Sequence, residues 1–114
     1  MTEPSLSSGE VRAKERARRF VIPMALSYRP HLEKKWYSGQ TVNISRSGVL
    51  FRAEFPLEPT TPIQMRVVFP AEVFQEGPVE VLCRGTVVRV ESPSGNESLP
   101  SLATTISDYR LVRR

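Results

Sequence analysis

Trp36-Tyr37-Ser38-Gly39-Gln40-Thr41-Val42-Asn43-Ile44-Ser45-Arg46-Ser47-Gly48-Val49-Leu50-Phe51-Arg52-Ala53-Glu54-Phe55 reads as two strands joined by a polar turn. Before the turn, Val42 and Ile44 point one way and Thr41, Asn43 and Ser45 the other. After it, Val49, Phe51, Ala53 and Phe55 resume the alternation. Apolar residues at a period of two mark half-buried strands. Asn, Ser and Gly supply the turn chemistry, because Asn and Ser bond local backbone and Gly tolerates any φ.

The same period extends in both directions. Upstream, Phe20, Ile22, Met24, Leu26 and Tyr28 predict a first strand with one apolar face, and Pro23 places it at an edge or a strand start. On this reading Ile22 packs inward. Residues 29–35 form a polar loop. Downstream, Pro56, Pro59 and Pro62 break the chain, and Ile63, Met65, Val67 and Phe69 make a fourth strand with Gln64 and Arg66 outward. Residues 70–78 are a loop with room for one helical turn at 72–75. Val79, Val81 and Cys83 share a face, but Val88 and Val90 have the opposite parity. A β-bulge near Gly85 would return them inward. Residues 92–101 read as a hairpin loop, and Leu102, Thr104 and Ile106 as a sixth strand. Residues 108–114 leave space for a helical stub only.

Six short antiparallel strands without a long helix predict an all-β barrel or sandwich. The ten prolines, almost all between strands, argue the same way. At 114 residues the chain suits one domain with a modest core. It divides into an arm at 1–19 and a barrel at 20–114. A single cysteine, Cys83, excludes an internal disulfide and fits a small core position. No apolar run approaches the roughly 20 residues a membrane helix needs. The polar start lacks the apolar region of a signal peptide. The expected compartment is the cytoplasm.

Charge is concentrated in the arm. Arg12, Lys14, Arg16, Arg18 and Arg19 are five of the 16 basic residues, and Glu15 is one of the 12 acidic ones; the remaining 11 and 11 balance. The arm lacks a wide apolar stripe that would hold it on a core, so it reads as flexible. Such an arm suits an anionic partner, or is simply solvated. Arginine pairs bidentately with phosphate, binds guanine O6 and N7, and stacks on bases. Asn43 and Ser45 carry the donors and acceptors to read a base edge. Gly48 can take a positive φ and let a backbone approach a ligand. Taken alone, the turn is explained by turn chemistry.

Arm and turn together resemble the PilZ domain, over roughly residues 16–110. PilZ domains pair an Arg-x-x-x-Arg element before the first strand with an Asp/Asn-x-Ser-x-x-Gly element after the second. Asn43, Ser45 and Gly48 match the second element fully. Residues 83–90 look like the family's long barrel strand. The resemblance implies a six-stranded antiparallel split barrel, here with a short or absent C-terminal helix. It implies a bacterial sensor or adaptor whose ligand is cyclic di-GMP, with no further cofactor. The implied ligand-binding residues are Arg18, Arg19, Asn43, Ser45 and Gly48, with help from Arg16 or Arg12. The arginines would grip phosphate and guanine, and the turn would read a guanine edge. An unidentified protein partner is also implied, with the chain a monomer or a homodimer.

The arm departs from the pattern at one position. Aligning Arg18 with the start of the motif puts Ile22 where the second arginine stands. The Arg12/Arg16 pair lies several residues too far from the strand. A hydrogen bond to a charged group contributes roughly 1.5–3 kcal/mol, so losing one guanidinium costs about ten- to a hundredfold in affinity. A nucleotide-independent interaction module is therefore the alternative.

Two other readings carry less. Lys34-Lys35 before Trp36 and Tyr37 allows stacking on single-stranded bases. However, the barrel is electrically balanced, nucleic acid is disfavoured, and Trp36 is expected to cover a barrel end. His31 is the only histidine and Asp108 the only aspartate. Neither a catalytic pair nor a metal spacing is present. The expectation is a non-enzyme.

Overall fold

The computed structural model describes residues 19–71 and 77–113. Arg12, Arg16 and Arg18, most of the 1–19 arm, and the 72–75 turn lie outside the described residues. Seven strands follow in order: β1 (Ala25–Pro30), β2 (Tyr37–Ile44), β3 (Gly48–Ala53), β4 (Pro62–Phe69), β5 (Val79–Glu91), β6 (Ser101–Thr105) and β7 (Asp108–Arg113). The sheet order is β4-β1-β2-β3-β6-β5-β7, all antiparallel, and a further β4–β5 pairing closes the first six strands into a barrel. Closure removes the free edges that an open sheet would expose.

The core is the inner face that the period predicts. Leu26, Tyr28, Phe51, Ile63, Met65, Val67 and Leu102 are all buried. Fully burying one such side chain contributes roughly 1.5–3 kcal/mol. Tyr28 is buried on Phe51, with ring centroids 5.0 Å apart. Cys83 is also buried, and burial pushes its thiol up to about 12.

Strict alternation fails at three places. In β2 the register shifts between Thr41 and Asn43, so Thr41 and Ile44 are buried and Val42 is not. Thr41 can face inward because its hydroxyl is satisfied there. It accepts the Met24 N–H at 2.9 Å and donates to the Ile22 carbonyl at 3.2 Å. In β5 the bulge lies between Val87 and Arg89, not near Gly85. The inward set runs on through Gly85 to Val87, leaving Val88 and Val90 exposed. Phe55 is outside the core at 50% exposure and stacks on Tyr37 at 5.1 Å.

Three predicted placements change. The first strand begins at Ala25, and Ile22 is 48% exposed rather than packed inward. Pro23 has no N–H to donate, and the chain from Phe20 to Met24 crosses the end of β2 instead of extending β1. At the other terminus a strand replaces the expected helical stub. β7 pairs with the first half of β5, from Arg84↔Asp108 to Val79↔Arg113. Trp36 also does not close a barrel end. It lies against Arg29 and Arg66, whose guanidinium carbons are 4.4 and 5.3 Å from its ring centroid.

Candidate functional site

The turn between β2 and β3 is held from three sides. The Ser45 N–H donates to the Gly48 carbonyl at 2.9 Å, closing the loop. The Ser47 N–H bonds the Ser45 Oγ at 3.4 Å. The Ile106 N–H donates to the Ser47 carbonyl at 2.9 Å, tying the turn to the end of β6. The turn therefore presents Asn43 and Ser45 from a fixed backbone, and both are half-exposed.

Gly48 has a different role from the one its turn position suggested. It is the first residue of β3 and does not adopt a positive φ. A Cβ there would come within 2.7 Å of the Thr104 carbonyl oxygen. Glycine is needed for the close approach of β3 to β6, which supports the turn from beneath.

The end of the arm reaches the same place. Phe20 forms an isolated antiparallel bridge with Ile44. The Phe20 N–H donates to the Ile44 carbonyl at 2.8 Å, and the Ile44 N–H donates to the Phe20 carbonyl at 3.0 Å. The Phe20 ring meets Phe69 edge-on at 5.6 Å. This bridge puts Arg19 beside the turn, where its Nη1 lies 3.5 Å from Asn43 Oδ1. Of the arm arginines expected at the site, Arg19 is thus brought to Asn43. The sequence separation of 24 residues is spanned by a single backbone bridge.

Ile22 stands exposed just before Pro23, with Val21 exposed beside it. Sequence reasoning passed over Arg46, which sits exposed in the middle of the turn. Its only signal was a guanidinium inside a polar turn. Beside the turn is an apolar cleft of about 460 Å³ lined by Ser45, Arg46, Phe20, Phe69, Ile106 and Leu111, among others.

The chemistry available here is recognition. Two guanidinium groups, a carboxamide and a hydroxyl can bind an anion and read a polar ring edge. Among the described residues no group of three His, Cys, Asp or Glu could hold a metal ion, and no helix is long and apolar enough to cross a membrane.

The family model for the PilZ domain matches residues 10–108. The chain belongs to the PilZ domain family. PilZ domains are binding domains, and this one carries the barrel expected of them with one additional outer strand. It is similar in fold to the Bacillus subtilis inhibitor of motility (MotI/DgrA), with a TM-score of 0.67 and 14% sequence identity. The match covers 81% of this PilZ domain and 42% of that chain, so the present chain spans less than half of its neighbour's length. At this identity the likeness concerns the fold alone. No curated protein matches the sequence.

Proposed function

We propose that this PilZ domain is a cytoplasmic sensor or adaptor that binds cyclic di-GMP over the 43–48 turn. One observation carries the reading: the Phe20–Ile44 bridge sets Arg19 against Asn43, joining the basic arm to the base-reading turn. Asn43 and Ser45 read a guanine edge, as their donor and acceptor sets allow. Arg19, with Arg18 and with Arg16 or Arg12 from the arm, contacts phosphates and stacks on guanine. Gly48 keeps the turn close to β6. Arg46, already on the turn, supplies a further guanidinium beside Ser45.

Anisotropy of a fluorescent cyclic di-GMP tests this. Saturable binding to the wild-type chain, weakened at least tenfold in Arg19→Ala and in Asn43→Ala, is expected. Undiminished binding in both variants would remove the site.

A second reading is favoured by Val21 and Ile22, two exposed apolar residues beside the motif. On that reading the same surface holds a protein partner without nucleotide. A pull-down indifferent to cyclic di-GMP, and lost in Val21→Ser/Ile22→Ser, would support it.

A further inference from the structure

The outer wall of β1, β4, β5 and β7 carries a second groove. Cross-strand pairing aligns Arg29, Gln64, Arg84 and Asp108 in one outward row. The adjacent row is Ser27, Arg66, Leu82 and Arg110. Trp36, arriving from the β1–β2 loop, flanks these rows, and with all of their members but Ser27 it lines a groove of about 680 Å³. That volume lies within the range of binding clefts, roughly 300–1,000 Å³.

The groove has a cationic excess. Glu80 pairs with Arg66 at 3.1 Å, and Asp108 pairs with Arg84 at 2.9 Å. No ion pair among the described residues engages the two other guanidinium groups, Arg29 and Arg110. Arg29 donates instead to the neutral Gln64 Oε1 at 2.8 Å. Four arginines thus face two carboxylates. The Arg84–Asp108 pair is exposed on both sides. An exposed pair contributes little, so an incoming carboxylate can exchange into it.

The residue types indicate what kind of anion fits. Tryptophan, tyrosine and arginine dominate the energetics of protein interfaces, and the groove is lined by Trp36, Tyr109 and four arginines. Arg29 and Arg66 are already laid against Trp36, so little side-chain freedom is lost on binding. A nucleic acid fits less well. The Trp36 ring that a base would stack on is already in contact with guanidinium groups.

We propose that this groove is a docking site for an acidic, carboxylate-rich segment of a partner protein. It is distinct from the 43–48 turn, and its occupancy does not depend on nucleotide. Trp36 is the only tryptophan, so its emission reports on the groove directly. The test titrates the full chain with an end-capped hexaglutamate peptide, with hexalysine and a ten-residue oligothymidylate as comparisons. A saturable change in Trp36 emission with hexaglutamate and none with hexalysine is expected. Arg29→Gln/Arg110→Gln should weaken it at least tenfold, while Arg18→Ala/Arg19→Ala leaves it within twofold. Arg110→Gln alone, on an exposed strand, should show a weakening even if the double variant folds poorly. Loss of the signal in the arm variant alone, tighter binding of oligothymidylate, or no saturable change at millimolar peptide would each overturn the proposal.

Discussion

Phe20 and Ile44 exchange both backbone hydrogen bonds, at 2.8 and 3.0 Å, although the rest of the chain from Phe20 to Met24 belongs to no strand. That one bridge couples the arm to the turn. Its side-chain support is the edge contact of Phe20 with Phe69. Replacing Phe20 by Ala removes a half-buried ring and should cost about 2 kcal/mol, below the range for fully buried phenylalanines. Because Arg19 would lose its anchor, cyclic di-GMP affinity should fall together with the melting temperature. Urea unfolding and ligand titration of the same variant check both.

Ile22→Arg is predicted to act in the opposite direction. The side chain is 48% exposed, so the exchange should leave stability within about 0.5 kcal/mol, as for most surface substitutions. A second motif arginine restored at this position should strengthen cyclic di-GMP binding at least tenfold, the equivalent of about 1.4 kcal/mol. Calorimetric titration of the variant beside the wild type measures it. An unchanged affinity would mean that Arg46 already fills the role.

Gly48→Ala separates the structural part of the turn from its recognition chemistry. The new Cβ would lie 2.7 Å from the Thr104 carbonyl oxygen, a backbone atom that cannot swing aside. Overpacking of this kind costs typically 1–3 kcal/mol. A fall in melting temperature is expected without any ligand present. If stability is untouched and only binding suffers, Gly48 contacts the ligand rather than spacing β3 from β6.

Tyr28 gives a pH-dependent prediction. Its hydroxyl accepts the Phe55 N–H at 2.7 Å and donates to the Phe55 carbonyl, and burial pushes it up from 10.0 to about 12. The buried Cys83 thiol is pushed up from 9.0 to about 12 for the same reason. Both groups are neutral when protonated, and the unfolded chain releases these protons first as pH rises. Stability should therefore be full below about pH 9 and decline between pH 9 and 12. Tyr28→Phe should cost about 1–3 kcal/mol at neutral pH, because Phe55 is left with unpaired backbone groups. Unfolding curves at pH 7 and pH 11 for the wild type and for Cys83→Ala resolve the two contributions.

The six barrel strands were legible because their inner faces repeat every second residue, from Leu26 and Tyr28 to Leu102 and Thr104. The exceptions are local. A bulge inserts one residue without changing composition, so the Thr41–Asn43 shift left no mark on the apolar pattern, while the parity change along β5 announced a bulge but not its place, which is Val87–Arg89 and not Gly85. Thr41 looked outward because its inward fit depends on Met24 and Ile22, which a one-dimensional reading does not bring near. β7 alternates Tyr109 and Leu111 with Arg110, but it is short, charged and half-exposed, and it exists because β5 is long enough to pair with β6 and β7 in succession. At the site, Asn43 and Ser45 were visible as a motif. The apposition of Arg19 was visible only as a resemblance, since it depends on the Phe20–Ile44 bridge. Arg46 lacked any pattern of its own.

Isothermal titration of the chain with cyclic di-GMP, with GTP as the comparison, tests the central claim most directly. Selective, saturable heat at micromolar or tighter affinity, lost in Arg19→Ala/Asn43→Ala, is the predicted result. No heat at millimolar cyclic di-GMP would contradict it and make Ile22 the mark of a site that no longer binds the nucleotide.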